Sequence, residues 1–505
     1  MKALGGFSTI ELLIAFALLI SAVATVTLTV DGIPNLIAHA RMEHEAYRIA
    51  DYTLLSLWNN IRTKEQGAQV SLRINQDGYE IATQAGPRAN GLYTRLVALV
   101  SWAGVRGQPA KLSLQGVAVD LERTRSSTCS PFVIGDWFSP RVLGTYRLSS
   151  DSLLPAHAGD SAVSDIAVLG SRIAIAIPKT DSAESPTLHF FTHQASDERP
   201  VWETAFDNAP GSQIGFSALA VGDGYLFAGN GFGSASGATS DLCKDGYSCA
   251  QLQVFDLSPS VVPERIGALE LSTSTWPRAV TVRGARAAVA SIVYGNGLVF
   301  LGLEKTANGM EFVVIDATDP AHPRWLSGLP LGRSVRAIAI TENYAYLATS
   351  DSKRELLIVD ITDPRQPMVV DSWDASGASG FGLGSAVYVQ DGRAHVGRTY
   401  VSNASEWYAF DEVEPAHLVP FFEYDLGTAR RPASVVDIIV RDFLAFVLSG
   451  NRLLIADFST PDLASPVILE QSIPGSGAAL ACRGNTLYVL SNKDGIGALS
   501  IITSS

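Results

Sequence analysis

VVIDATDPAHP (313–323), LIVDITDPRQP (357–367) and LIADFSTPDLASP (454–466) are three copies of one pattern. Two looser copies are QVFDLSPSVVP (253–263) and YAFDEVEPAHLVP (408–420). Each holds an apolar run, then an aspartate, then a turn rich in Ser, Thr and Pro that ends on a second proline. The aspartates are Asp256, Asp316, Asp360, Asp411 and Asp457, spaced 44 to 60 residues apart. A period of roughly 40–50 residues is that of a four-stranded propeller blade. Asp hydrogen-bonds its own backbone two residues on and Pro presets φ for a turn, so a strand should end at each aspartate. Proline cannot donate to a central ladder, so the strand after it suits the outer edge of a blade.

Upstream of each turn lie two shorter apolar runs separated by a polar turn. Examples are Ala337–Ile340 with Tyr344–Thr349, and Ala386–Gln390 with Arg393–Gly397. The same arrangement recurs at Asp165–Ile177, Ala218–Gly229, Ala288–Leu303, Asp437–Ser449 and Ala479–Ser491, which makes seven units. The last unit has only three strand segments, ending with Ala498–Ile502, and Val142–Leu148 is the natural fourth. An unclosed edge there would leave backbone donors and acceptors unpaired. The repeats resemble the LVIVD-type β-propeller family over residues 140–505.

The other informative stretch is MKALGGFSTIELLIAFALLISAVATVTLTV (1–30), where Glu11 is the one ionisable side chain between Phe7 and Val30. As a helix this apolar run would extend roughly 36 Å, enough to cross a hydrocarbon core of about 30 Å. It is too long, and its leader too short, for an ordinary signal peptide. A carboxylate inside such a segment costs about 2.5–3.5 kcal/mol near its centre, less near an end, and so asks for a partner. The stretch Gly6-Phe7-Ser8-Thr9-Ile10-Glu11-Leu12-Leu13 resembles the prepilin processing site of type IV pilins and type II secretion pseudopilins. The resemblance implies cleavage between Gly6 and Phe7 by a prepilin peptidase and N-methylation of Phe7. It also implies that Glu11 is the carboxylate that meets a neighbouring subunit's N-terminal amine during assembly.

Pro34 should interrupt the apolar segment, and a helical pattern resumes over 35–62. Strand candidates follow at Gln69–Asn75, Tyr79–Gln84, Leu92–Trp102 and Lys111–Leu121. The expected fold class is an N-terminal long α-helix with a small α+β pilin-like head, followed by an all-β seven-bladed β-propeller. The expected divisions are a leader (1–6), an assembly and membrane segment (7–30), a pilin-like head (31–125), a linker (126–140) and the propeller (141–505).

With 37 basic and 50 acidic residues the net charge is −13, and no basic run stands out, which argues against a nucleic-acid partner. Cys243 and Cys249 bracket an Asp-Gly turn signal that would bring two sulfurs together in an oxidising compartment. Zinc is the rival reading, although the spacing is wider than usual and no second pair of ligands follows. Cys129 and Cys482 have no local partner. No metalloprotease, nucleophile-elbow, P-loop or EF-hand motif is present. The glycines of 229–237 lie between strand candidates and open no helix, so they suit a loop. His322 and His417 fall in the proline turns, and Arg333, Arg336, Arg393 and Arg398 lie at or near the first two strands of their blades. Single side chains of this kind suit solvated or paired surface better than a metal or ligand site.

No cofactor, metal or catalytic residue is therefore expected. The expected function is structural: a subunit, minor or at the tip, of a type IV pilus-like filament that displays a propeller for adhesion or ligand binding. Its partners would be other pilin subunits, the prepilin peptidase, the inner membrane before assembly and an extracellular ligand. The alternatives are a pseudopilin-like component of a secretion machine, working in the periplasm, and a propeller enzyme whose site escapes motif reading.

Overall fold

The structure, a computed structural model, describes residue 46, four strands between 71 and 119, and residues 137–505 apart from residue 138 and several connecting segments, of which 231–249 and 272–287 are the longest. The chain divides into two units, Met1–Asp120 and Leu121–Ser505.

In the first unit, Ser71–Gln76, Tyr79–Ala89, Tyr93–Ala103 and Pro109–Val119 form an antiparallel meander. Ile81, Val100 and Trp102 are buried in it, at positions that share one face of neighbouring strands: Ile81 pairs with Val100, and Trp102 is two residues further on. The expected fold class is corrected here. All the regular elements among the described residues are strands, thirty-two of them, so the described fold is all-β. No helix among the described residues is long and apolar enough to cross a membrane. The apolar segment read as a spanning helix, 7–30, lies outside the described residues. The residues the structure does describe around 71–119 alternate as strands do. Of the segments read as helical, only Ala46 belongs to the described residues, and it is helical.

The second unit is a seven-bladed propeller. Blade 1 is Asp165–Leu169, Arg172–Ala176, Leu188–Thr192 and Val201–Phe206; blade 2 is Phe216–Gly222, Tyr225–Asn230, Leu252–Asp256 and Glu264–Leu269. Blade 3 is Val289–Gly295, Leu298–Leu303, Phe312–Asp316 and Arg324–Leu329; blade 4 is Val335–Ile340, Tyr344–Thr349, Leu356–Asp360 and Met368–Trp373. Blade 5 is Gly384–Gln390, Arg393–Arg398, Trp407–Phe410 and Pro420–Tyr424; blade 6 is Val435–Arg441, Leu444–Ser449, Arg452–Asp457 and Val467–Ser472. Blade 7 takes three strands from the end of the chain, Ser476–Arg483, Thr486–Lys493 and Ile496–Thr503. Its fourth strand is Arg141–Arg147, antiparallel to the third, with Ala498 opposite Arg147 and Thr503 opposite Arg141.

Strand 1 of each blade packs on strand 1 of the next, including blade 7 on blade 1, so the ring is closed. The core follows from this. Strands 2 and 3 are buried nearly throughout, and seven apolar clusters form, one at each seam between blades. Burying a Val, Leu, Ile or Phe in such a cluster contributes about 1.5–3 kcal/mol. Close approach fixes some small residues: a Cβ on Gly229 or Gly397 would come within 2.5 or 2.3 Å of the valine that opens the next blade, Val289 or Val435. The outer strands are the exposed ones, as with Met368, Val369 and Val370 of blade 4.

Candidate functional site

The two faces of the ring differ because their turns differ. On one face, strands 1 and 2 are joined by tight hairpins such as Asp223-Gly224 and Asn296-Gly297, all four residues at positive φ. The same face carries the turns from strand 3 to strand 4, where the repeat aspartates sit. Asp256 accepts hydrogen bonds from the Ser258 N–H (2.7 Å) and hydroxyl (2.6 Å). Asp316 accepts from the Thr318 N–H (3.1 Å) and hydroxyl (2.6 Å), and Asp360 from the Thr362 N–H (2.8 Å). The Thr318 hydroxyl and N–H hold the Asp316 carboxyl, and the Thr362 side chain and N–H the Asp360 carboxyl, below the usual carboxylate range. A second aspartate caps the turn again: Asp319 accepts from the Ala321 N–H and Asp363 from the Arg365 N–H. These aspartates are therefore turn-formers. Asp457 ends strand 3 of blade 6, while Asp411 lies outside the described residues.

The opposite face carries the connections from strand 2 to strand 3 and from strand 4 to the next blade. They include the longest in the ring, 231–251 and 270–288 in sequence. Their bases are fastened by a device that the motif search misses. Gln251, Glu311, Glu355 and Glu406 each stand just before strand 3, buried, and accept backbone N–H groups from the residues that leave strand 4. Leu271 donates to Gln251 (2.7 Å); Leu331 and Gly332 donate to Glu311 (2.7 and 2.9 Å). Ala375 donates to Glu355 (3.2 Å), and Leu426 and Gly427 to Glu406 (2.8 and 3.2 Å). The signal was in the sequence: each side chain lies five residues before a turn aspartate, as Gln251 before Asp256 and Glu406 before Asp411. A buried carboxylate without partners would cost several kcal/mol, which these N–H groups offset.

In blade 4 the device is extended. Arg398, at the end of strand 2 of blade 5, donates to Glu355 at 2.5 Å, with both side chains fully buried, and to the Ser405 carbonyl at 2.7 Å. Burial pushes the Glu355 carboxyl up, and the Arg398 guanidinium opposes that. Burial likewise pushes Glu406 up, against the bond from Leu426. Arg398 is thus a paired seam residue, whereas Arg333 and Arg336 are exposed and Arg393 lies over the Phe421 ring, 5.7 Å from its centroid. His322 is an exposed turn residue beside Asp319 (3.0 Å); His417 is outside the described residues.

Among the described residues no three His, Cys, Asp or Glu side chains gather as metal ligands do. Cys482 is buried and disulfide-bonded, in the cluster that also holds Trp137. Cys129, Cys243 and Cys249 lie outside the described residues, as do Gly6, Phe7 and Glu11. The structure thus gathers the described repeat aspartates onto one face and the Gln/Glu clamps under the other. The clamps fix the points where the chain leaves strand 4 in blades 2 to 5.

The LVIVD repeat family is matched over residues 332–375, which span blade 4. No curated protein matches the chain. The protein carries an LVIVD repeat within a seven-bladed β-propeller, a fold suited to binding or structural work.

Proposed function

We propose that this chain is a non-catalytic binding propeller, held outside the cell envelope by a prepilin-like N-terminus as a subunit of a type IV pilus-like filament. The observation that carries the binding reading is the contrast between the two faces. One is closed by tight Asp-centred turns, the other carries long connections clamped at their base by Gln251, Glu311, Glu355 and Glu406. A fixed base under long connections lowers the ordering cost of recognition. The chain enters the propeller through Trp137 and the strand Arg141–Arg147, which starts at the face of the tight turns. Within this unit the loop face is therefore opposite the point of entry.

Display is supported by the sequence GFSTIELL at 6–13 and by the apolar run that follows it. On this reading the peptidase cuts before Phe7, the apolar segment keeps the chain at the inner membrane until assembly, and Glu11 meets a neighbour's amine. The test is mass analysis of the mature N-terminus, together with fractionation of wild type and Glu11→Ala. A methylated Phe7 with filament recovery lost in the variant supports the reading. An intact leader overturns it, and a secretion defect without fibres would favour a pseudopilin role.

A further inference from the structure

Blades 3 and 4 bring together cations that lie apart in the sequence. Lys305 follows strand 2 of blade 3, Arg333 lies in the link between the two blades, and Lys353 and Arg354 lie between strands 2 and 3 of blade 4. Two serines hold these three segments side by side. The Ser334 hydroxyl accepts from the Lys305 N–H (2.9 Å), and the Ser350 hydroxyl accepts from the Ser334 N–H (2.9 Å). The Ser350 N–H donates in turn to the Ser334 carbonyl (2.9 Å). Arg336, two residues past Ser334, stands at the bulge with which strand 1 of blade 4 opens. The same bulge holds Ser217, Ala290, Ser385, Val436 and Ala478 in blades 2, 3, 5, 6 and 7, so the fold needs no cation there. All five basic side chains are exposed, and of the five only Arg354 is in an ion pair among the described residues, with Asp351 at 3.0 Å.

The carboxylates on these connections are fewer: Glu304, Asp351 and Asp374, beside the buried Glu311 and Glu355, which the clamps already use. Burial would raise the Asp351 carboxyl, but the Lys353 N–H and the charges of Arg354 and Arg333 hold it below its ordinary value. The opposite face of the same two blades has the other sign, with Asp316, Asp319, Glu342, Asp360 and Asp363 against Arg324 and Arg365. The large apolar side chains that are exposed fall elsewhere, on the outer strands or the turns into them, as with Trp202, Met368 and Phe421. A protein partner relies on apolar and aromatic anchors of that kind, whereas a hydrated polyanion needs charge and hydrogen-bond donors. We propose that this sector of the loop face binds an anionic polysaccharide, one that carries carboxylate or sulfate groups along its chain. The proposal rests on the reading of the propeller as a binding module outside the cell envelope, and it names the ligand class. Exposed cations contribute little singly and more as a set, and salt screens them.

The test is binding of fluorescent polygalacturonate and dextran sulfate to the full chain in detergent micelles, read by anisotropy, with neutral dextran as the blank. At least one polyanion should bind, more weakly as salt rises, and the tighter of the two identifies the preferred acidic group. Arg333→Glu/Arg336→Glu should weaken that binding by about tenfold or more, whereas Arg365→Glu on the opposite face should leave it within about twofold. Equal weakening by the two variants overturns the proposal, as does binding that salt does not change or no binding of either polyanion. Tighter binding of a duplex DNA of matched length would assign the sector to nucleic acid and overturn it too. Arg333→Gln/Arg336→Gln replaces the charge reversal if that variant does not fold, and the salt series on wild type needs no variant. The mature N-terminus is analysed on the same preparation. A methylated Phe7 without polyanion binding defeats this inference alone, and polyanion binding with an intact leader defeats the display reading alone.

Discussion

At the scale of single residues, side chains of the same type do different work according to burial. The turn aspartates Asp316 and Asp360 are solvated and satisfied by local N–H and hydroxyl donors, so Asp360→Ala should cost only about 1 kcal/mol in denaturant unfolding. Glu355 and Arg398 are sealed in a seam. Removing one partner strands the other charge, so Arg398→Met should cost about 3–5 kcal/mol, and a double change to apolar residues should recover part of it. Equal small effects for all three variants would mean that the pair is solvated in solution. The histidines supply a pH effect of known sign. Burial lowers His189 to about 4 and His395 to about 3, from an ordinary 6.5. A depressed group contributes stability that is present above pH 6.5 and is lost as pH falls toward its folded value. His395→Gln should therefore flatten the acid side of the stability curve between pH 6.5 and 4, and an unchanged slope would contradict that. The turn aspartates were legible because Asp and Pro act within four residues. The Gln/Glu clamp acts across about twenty residues, so its meaning appears only once strand 4 has returned beside strand 3.

At the scale of elements, the decisive one is Arg141–Arg147. It is the only strand of the ring taken from the N-terminal side, and it completes blade 7. Trp137, just ahead of it, is buried against Phe446 and donates to the Asn485 side chain, which also donates to the Ser504 hydroxyl. A chain starting near Cys129 should be soluble and melt cooperatively, whereas one starting at Asp165 should expose the edge of Ile496–Thr503 and aggregate. Equal solubility and equal melting of the two would count against closure by this strand. The closing strand was legible from arithmetic, since blade 7 was one strand short and Val142–Leu148 was unassigned. The N-terminal part was less so. The described part of the first unit is a four-stranded meander and one helical residue, Ala46, and the apolar run lies outside it. Nor did the sequence show that Cys482 would be disulfide-bonded, because its partner is not local.

At the scale of the whole molecule, seven apolar seams make a closed ring whose stability is shared among blades. The proposed display rests on the N-terminal motif, and there two substitutions separate processing from assembly. Changing Gly6 should block cleavage. Glu11→Ala should leave cleavage intact while incorporation falls, because the charged amine of Phe7 would lose the carboxylate that offsets its burial among apolar segments. Wild-type incorporation of Glu11→Ala would reduce the N-terminus to an anchor. The most direct measurement is labelling of the propeller on intact cells, imaged together with any surface fibres, in wild type and in a Gly6 variant. The account predicts label along or at the tip of fibres in wild type and its loss in the variant. Label that is inaccessible in intact wild-type cells, with the Gly6–Phe7 bond uncut, would contradict it.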